Sequence, residues 1–229
     1  MPGSPLIGPM KGIEDLVSGF RRFQRRYFGE QRELYERLAR AGQAPRIMVI
    51  GCCDSRVDPA LITDCDPGDM FVLRNVANLV PPYETGGGHH GTSAALEFAV
   101  RALGVEHVIV LGHARCGGIR ALLGESRIEG GAEFISPWMS IADAARKTVQ
   151  REHRDESFDR QAKACELAAL QVSLQNLATF PFVCEAVAAG RLGVHGWYFD
   201  IEDGELLCYS AARERFEPVV GGNADVTDI

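Results

Sequence analysis

The sequence has no apolar run that approaches the ~20 residues needed to cross a bilayer. Its first segment, MPGSPLIGPM, also lacks the unbroken apolar core of a signal peptide. Positive charge is scarce, because 24 Lys and Arg stand against 31 Asp and Glu and give a formal net charge of −7. Such a chain offers no large basic face to a phosphate backbone or an anionic membrane. We therefore expect a cytoplasmic protein that binds neither nucleic acid nor a membrane.

No internal repeat, low-complexity tract or linker divides the 229 residues, so we expect a single domain over 1–229. Three apolar runs predict strands at 46–52, 69–75 and 107–113. Helical patterns occupy 91–104, 137–151 and about 159–189. An Asp203-Gly204 turn between two later apolar runs predicts an antiparallel hairpin. The predicted fold is α/β, with a mainly parallel central sheet flanked by helices and a C-terminal antiparallel edge.

An amphipathic N-terminal helical arm is expected over residues 11–41, with a break near Gly29. Its apolar positions have helical spacing and include Phe20, Phe23, Tyr27, Leu34 and Leu38. The arginines among them alternate with glutamates, which favours a solvated face over an anionic partner. The apolar side of the arm must pack on something, and a partner subunit is a candidate.

Two cysteines follow the first predicted strand in GCCDSRVDP, residues 51–59. The seven cysteines are odd in number and lie largely in apolar segments, unlike a secreted disulfide framework. If the extended backbone continues past the strand, alternate side chains share a face. Cys52, Asp54 and Arg56 then point one way, and Cys53 points the other way. This makes Cys52 the chemical cysteine and Cys53 a packing residue.

The third predicted strand ends in LGHARCGGI, where His113 and Cys116 are three residues apart. Ligands of parallel sheets gather at the carboxyl ends of strands, and both motifs lie at such ends. Cys52, His113 and Cys116 form a set of two thiolates and one imidazole, which suits Zn²⁺ and leaves a fourth position for solvent. The sequence therefore predicts one zinc ion per subunit.

Simpler interpretations remain open for each of these residues. A buried cysteine is most often a small hydrophobe, and a lone His-x-x-Cys arises by chance. Asp54 and Arg56 could form a structural ion pair or cap the following turn. For His89 and His90 in GGGHHG we favour a mobile loop over metal ligation, and for His195 a structural role.

The sequence resembles the β-class carbonic anhydrases over roughly residues 11–210. The motifs that carry the resemblance are CCDSRVDP at 52–59, FVLRNVANLVPPY at 71–83, GTSAALEFAV at 91–100, GHARCGG at 112–118 and HGWYFDIEDGEL near the end. The resemblance places the zinc ligands on Cys52, His113 and Cys116, and the Asp and Arg partners on Asp54 and Arg56.

The resemblance also indicates the type I subclass. Val49 stands where members with a bicarbonate-regulated pocket have tryptophan, and Gln43 matches the glutamine that reaches the neighbouring subunit's substrate site in type I. The apolar substrate wall maps to Phe71 and Val76, and Phe98 replaces a tyrosine of that wall. An obligate dimer, often paired further, is implied, with the arm embracing the partner.

The implied reaction is reversible hydration of CO₂ to bicarbonate and a proton by a hydroxide on the zinc. The resemblance implies that Asp54 orients this nucleophile and that Arg56 keeps Asp54 ionised and off the metal, while Gln43 and the N–H of Gly117 bind bicarbonate oxygens. Two thiolates neutralise Zn²⁺, so we expect activity to be shifted to alkaline pH. The alternatives are hydrolysis of carbonyl sulfide or carbon disulfide on the same fold, and a non-catalytic structural or redox zinc protein.

Overall fold

The computed structural model describes residues 12–30, 32–86, 88–125 and 132–219. The chain divides into two compact units, Met1–Gln43 and Ala44–Ile229. The first unit holds the helical arm expected from the sequence, although residues 11 and 31 of that arm lie outside the described residues.

In the described part of the first unit, a π-helical turn lies between two helices, and the break expected near Gly29 lies in that turn. The elements are α1 (Ile13–Arg25), the turn (Arg26–Glu30) and α2 (Arg32–Ala41). Four rings pack together around the turn: Phe23, Tyr27, Phe28 and Tyr35. An exposed apolar stripe with i, i+3, i+4, i+7 spacing runs along α1: Ile13, Leu16, Val17 and Phe20. That this arm packs on a partner subunit stays a prediction.

The second unit is built on a six-stranded sheet of order β2-β1-β3-β4-β5-β6. Its strands are β1 (Ile47–Cys52), β2 (Met70–Asn75), β3 (His107–His113), β4 (Gly193–Asp200), β5 (Glu205–Ser210) and β6 (Arg215–Pro218). The first four strands are parallel, and β5 and β6 add an antiparallel edge. The predicted fold class is confirmed, with β6 as an additional strand.

Helices flank this sheet. They are α3 (Pro59–Ile62), α4 (Gly91–Glu97) with a π-helical end (Phe98–Leu103), α5 (Gly117–Leu122), α6 (Ile135–Met139), α7 (Asp143–Glu152), α8 (Phe158–Leu177) and α9 (Pro181–Ala188), with 3₁₀ turns at Val76–Asn78 and Ser140–Ala142. The single helix expected over about 159–189 is two helices, because Pro181 begins a new one. Among the described helices, none alone is long and apolar enough to span a membrane; α8 and α9 meet that criterion only together, across an 84° bend.

The strand order explains why two distant sequence motifs meet. β1 lies between β2 and β3, so the chain leaves it to one side and later returns on the other. Gly51 pairs with Leu111, which brings the carboxyl ends of β1 and β3 side by side. In open α/β sheets, a crevice forms at such a reversal of strand order. Cys52 and His113 end these two strands at that point.

Glycines in the sheet allow α8 to lie unusually close to it. A Cβ on Gly196 of β4 would lie 2.6 Å from Leu170 Cδ2, and one on Gly112 of β3 would lie 2.9 Å from Leu170 Cδ1. A larger residue at either position would force the Leu170 side chain, or α8 with it, to shift. Because Glu166 lies one helical turn before Leu170, this close packing also sets the depth of Glu166 beneath the strand ends.

Asp200, at the end of β4, ties the sheet to α8. Its buried carboxylate accepts hydrogen bonds from Lys163 Nζ at 2.8 Å and from the Glu202 N–H at 3.0 Å. Burial acts to raise the pKa of Asp200, but these hydrogen bonds outweigh it and lower the pKa below its ordinary 3.8.

We expect Asp200→Asn to lower the free energy of unfolding by about 1–3 kcal/mol at pH 7, because the lysine loses its charged partner. A lowered carboxyl pKa stabilises the fold above the unfolded-state pKa, and this contribution is lost as the pH falls through the folded-state value. The difference from the native protein should therefore be constant near neutrality and shrink below about pH 4. Urea unfolding across pH checks this, and a difference that grows on acidification would contradict it.

Candidate metal centre

Cys52, His113 and Cys116 come together at the carboxyl ends of β1 and β3. Their ligand atoms all lie within 4.8 Å of one another, and all three residues are buried. Cys116 reaches the cluster because the loop after β3 turns sharply, with Arg115 in the left-handed region at φ 60°. Two sulfurs and one imidazole nitrogen at this separation suit a tetrahedral transition metal and leave one position open.

The hydrogen bonds of His113 define its free nitrogen. Nδ1 lies 2.8 Å from the Ala114 carbonyl oxygen, which can only accept, so Nδ1 carries the proton. Nε2 is then unprotonated and carries a free lone pair. Among the described residues, this atom is buried without a hydrogen-bond partner. Buried polar atoms are rarely left unpaired, and an imidazole whose other nitrogen donates to a carbonyl is the usual form of a metal ligand. The residues present therefore fit a metal ion.

The two ligand thiols titrate as one coupled pair. A hydrogen bond from the Cys116 thiol is the largest cause that lowers the pKa of Cys52. The same bond, together with burial, raises the pKa of Cys116. Without metal the pair thus shares one proton, and a divalent cation would displace that proton on binding.

Asp54 and Arg56 form an ion pair beside this cluster. Arg56 donates from Nε to Asp54 Oδ1 at 2.9 Å and from Nη2 to Oδ2 at 2.7 Å. These bonds are the largest cause that lowers the pKa of Asp54, to about 2. Asp54 Oδ2 lies 4.0 Å from His113 Nε2. The structure therefore holds an ionised carboxylate directly beside the ligand group.

Arg74, on the neighbouring strand β2, supports the Cys52–Asp54 backbone. It donates from Nε to the Cys52 carbonyl at 2.8 Å, from Nη2 to the Asp54 carbonyl at 2.7 Å, and from Nη1 to Asp58 at 2.9 Å. A planar guanidinium presents several donors in fixed directions and so holds two carbonyls in a defined geometry, whereas a lysine ammonium is a single rotatable point of donation. Sequence reasoning missed this role, although Arg74 lies in the quoted FVLRN motif.

A second support, also missed from the sequence, lies under Cys116. Glu166 of α8 is only 5% exposed. Its Oε1 accepts the Cys116 N–H at 2.9 Å, and its Oε2 accepts the Tyr198 hydroxyl at 2.8 Å. Burial raises the pKa of Glu166, although both hydrogen bonds oppose the rise. Glu166 thus fixes the backbone of a ligand residue from below the sheet end.

We expect Glu166→Gln to lower zinc affinity about 10- to 100-fold, the usual cost of losing a partner of a metal ligand. The glutamine amide cannot accept from both the Cys116 N–H and the Tyr198 hydroxyl in the same way as the carboxylate. Competition with a chelator measures the affinity. Tyr198→Phe removes only one of the two bonds and should have a smaller effect, whereas an unchanged affinity in the glutamine variant would rule out this supporting role.

Two of the expected substrate residues pack on each other, and the third lies against the ligand loop. The rings of Phe71 and Phe98 have centroids 5.9 Å apart. Val76 directly follows β2, and a Cβ on Gly118 would come within 2.9 Å of Val76 Cγ1. Val76 therefore lies beside the start of α5, two residues past Cys116, and it is partly exposed.

The remaining expected residues are placed as follows. Gly117 is the first residue of α5, so its N–H has no partner within the helix. Gln43 is exposed and belongs to the first unit, Met1–Gln43. Cys53 differs from expectation: it is exposed rather than packed, because the chain leaves the strand after Cys52 and only the Cys53 backbone stays bonded, to the Asn75 carbonyl at 2.8 Å.

Cys53 lines a groove of about 1240 Å³ on the second unit, and none of the three ligand residues lines it. Val76, His89 and His90 line the same groove. Neither of these two histidines belongs to the ligand group found among the described residues. That they lie in a mobile loop stays a prediction. His195 lies near the opposite end of the sheet, with Nε2 3.0 Å from His107 Nδ1.

These features define a buried Cys-His-Cys group that could hold one metal ion, at the crevice of a mainly parallel α/β sheet. The family described as "Carbonic anhydrase" matches residues 47–206 of the chain. A carbonic anhydrase of Synechococcus elongatus is 35% identical over 195 residues, which cover 85% of this chain and 71% of the relative. A chloroplastic β carbonic anhydrase of Arabidopsis thaliana is 40% identical over 196 residues, covering 83% of this chain and 62% of the relative.

Solved structures agree with this assignment. The β-carbonic anhydrase CcaA superposes with a TM-score of 0.84 at 34% identity, covering 93% of each chain. A β-carbonic anhydrase described as tetrameric, from Sordaria macrospora, superposes with a TM-score of 0.68 at 30% identity and covers 92% of this chain and 95% of its own. This chain belongs to the β-class carbonic anhydrases.

Proposed function

We propose that this β-class carbonic anhydrase hydrates CO₂ reversibly at a zinc ion held by Cys52, His113 and Cys116. The observation that carries the proposal is the bare, buried Nε2 of His113, which lies within 4.8 Å of two thiol sulfurs. When bound, zinc would act as a Lewis acid that lowers the pKa of water far below its bulk value and so supplies a hydroxide nucleophile.

Asp54 would orient the hydroxide nucleophile by a hydrogen bond. At a pKa of about 2 it is ionised throughout the working range, so it can only accept hydrogen bonds. Its Oδ2, 4.0 Å from His113 Nε2, is placed to accept from a hydroxyl group beside that nitrogen. Arg56 occupies both carboxylate oxygens and restrains Asp54 from turning onto the metal position.

The substrate side would combine an apolar wall with two hydrogen-bond donors. CO₂ has no donors of its own, and Val76, together with the partner subunit's Phe71 and the partner subunit's Phe98, would offer apolar surface. Charge appears on the oxygens as bicarbonate forms, and the Gly117 N–H and the Gln43 amide are the groups that would bind them. In the type I arrangement, Gln43 acts on the neighbouring subunit, so a complete site needs a second copy of the chain.

A homo-oligomer is therefore part of the proposal, and the tetrameric Sordaria macrospora relative supports it. The exposed apolar stripe on α1 is a surface that a dimer could bury. We propose a dimer or a dimer of dimers in the cytoplasm. Sedimentation of the full chain would distinguish the two assemblies.

Stopped-flow CO₂ hydration, normalised to bound zinc and scanned from neutral to alkaline pH, tests the function. We expect turnover that rises with pH, disappears on zinc removal and returns when zinc is restored. Stoichiometric zinc without hydration at any pH would contradict the proposal. Faster turnover of carbonyl sulfide than of CO₂ in the same assay would reassign the substrate.

A further inference from the structure

Arg115 lies between two metal ligands in an unfavourable backbone conformation. Its φ of 60° is in the left-handed region, which residues with a Cβ adopt only at a cost in energy. The sharp turn brings the Cys116 sulfur within 4.8 Å of the ligand nitrogen of His113. A conformation of this kind persists only where surrounding contacts hold it.

The side chain of Arg115 supplies such contacts. Its Nη1 donates to Asp159 Oδ1 at 2.6 Å, and its Nη2 donates to Glu202 Oε1 at 2.9 Å. Asp159 lies in the first turn of α8, and Glu202 lies in the turn between β4 and β5. Arg120 also donates to Asp159 Oδ1, at 2.9 Å, so this carboxylate is itself held. Two separate elements therefore fix one guanidinium.

The backbone of Arg115 connects this clamp to the ion pair beside the ligands. The Arg115 carbonyl accepts a hydrogen bond from Arg56 Nη2 at 2.9 Å. The same Nη2 donates to Asp54 Oδ2 at 2.7 Å. A movement of the Arg115 peptide would thus shift Arg56, and through it the carboxylate of Asp54.

We propose that Arg115 is a positioning residue for the reaction. Asp159 and Glu202 clamp its side chain, the clamp fixes its carbonyl, and the carbonyl holds Arg56 where Arg56 restrains Asp54. The inference rests on the proposed function. An exposed ion pair adds little to stability, so the predicted effect concerns the placement of Asp54 rather than folding.

The test uses Arg115→Asn. Asparagine tolerates the left-handed region, so the backbone strain stays low while the clamp is lost. The control is Arg46→Gln, which removes a comparable exposed ion pair, Arg46 Nε to Glu106 Oε1 at 2.7 Å, at the opposite end of the sheet. The variants Asp159→Asn and Glu202→Gln, singly and together, remove the clamp from its other side.

The first readout is CO₂ hydration per bound zinc, which we expect to fall about 10-fold in Arg115→Asn and to stay unchanged in Arg46→Gln. Combining Arg115→Asn with Asp159→Asn and Glu202→Gln should lower the hydration rate no further, because all three changes remove the same clamp. Arg115→Lys, which keeps a cation for one carboxylate, should restore part of the rate. If the rate losses of the single variants instead multiplied in the combined variant, the proposal would be overturned.

The second readout does not depend on turnover. Azide is titrated into the fully cobalt-loaded protein and followed by absorption, because a released Asp54 would compete with the anion for the open position. We expect azide affinity to fall about 10-fold in Arg115→Asn and to recover when Asp54→Ala is added. An unchanged affinity, or one that stays low after Asp54→Ala, would overturn the clamp. If the native chain binds azide but does not hydrate CO₂, the proposed function fails, while the azide titration still decides the role of Arg115.

Discussion

Cys52→Ser is expected to abolish stoichiometric zinc binding and to lower CO₂ hydration by more than about 100-fold, a loss larger than that for residues which only support a ligand. Serine is close in size to cysteine, but its hydroxyl does not ionise at neutral pH and is a poor zinc ligand. Cys52 is buried, and its sulfur lies within 4.8 Å of the ligand atoms of His113 and Cys116. Two ligands would then remain where three are needed.

The adjacent residue provides a matched control. Cys53→Ser makes the same chemical change one position along the chain, at an exposed side chain whose backbone bond to the Asn75 carbonyl does not depend on the sulfur. We expect it to keep both zinc and turnover. In the cobalt-substituted protein, the thiolate charge-transfer absorption should weaken in Cys52→Ser alone. Equal loss of metal in both variants would show that the two cysteines had been assigned incorrectly.

The first three strands could be predicted from the sequence because they are apolar: β1 and β3 are buried along nearly their whole length, and the edge strand β2 is apolar although none of its residues is fully buried. Such strands are continuous apolar runs, and the predicted 46–52, 69–75 and 107–113 differ from β1, β2 and β3 by at most one residue at the start. The edge strand β6 was not predicted, because Arg215–Pro218 is short, charged and half exposed. The boundary at Pro181 was missed because apolar residues continue on both sides of it.

The ligand group could be predicted for a related reason. A strand end is a local feature, and Cys52 and His113 follow the last apolar residues of two strands that the topology makes neighbours. The supporting residues carry no such signal. Glu166 is 50 residues from Cys116, and Asp159 is 44 residues from Arg115, so their contacts depend on how closely α8 packs against β3 and β4. That distance is set by Gly112 and Gly196 opposite Leu170, which no local pattern reveals.

Asp54→Asn is expected to lower kcat/KM for CO₂ hydration by about 100-fold, the cost typical of a misplaced reacting group, without loss of zinc. Asparagine has the same shape but replaces one acceptor oxygen by a donor, so it can no longer both accept from Arg56 at two atoms and orient the nucleophile. Zinc content should be unchanged because Asp54 is not one of the three ligands. Asp143→Asn, which breaks the comparable pair with Arg146 on α7, is the control and should retain full activity.

The pH profile distinguishes orientation from proton transfer at Asp54. Because Arg56 holds the pKa of Asp54 at about 2, the carboxylate does not titrate between neutral and alkaline pH. The native enzyme and Asp54→Asn should therefore have parallel profiles, with the same rise toward alkaline pH and a constant ratio between them. A ratio that changes across this range would mean that Asp54 exchanges a proton during turnover. In that case Arg56 would set the acidity of Asp54 rather than hold its position. The two pH profiles would then converge or diverge around the pKa of Asp54 in the enzyme–substrate complex.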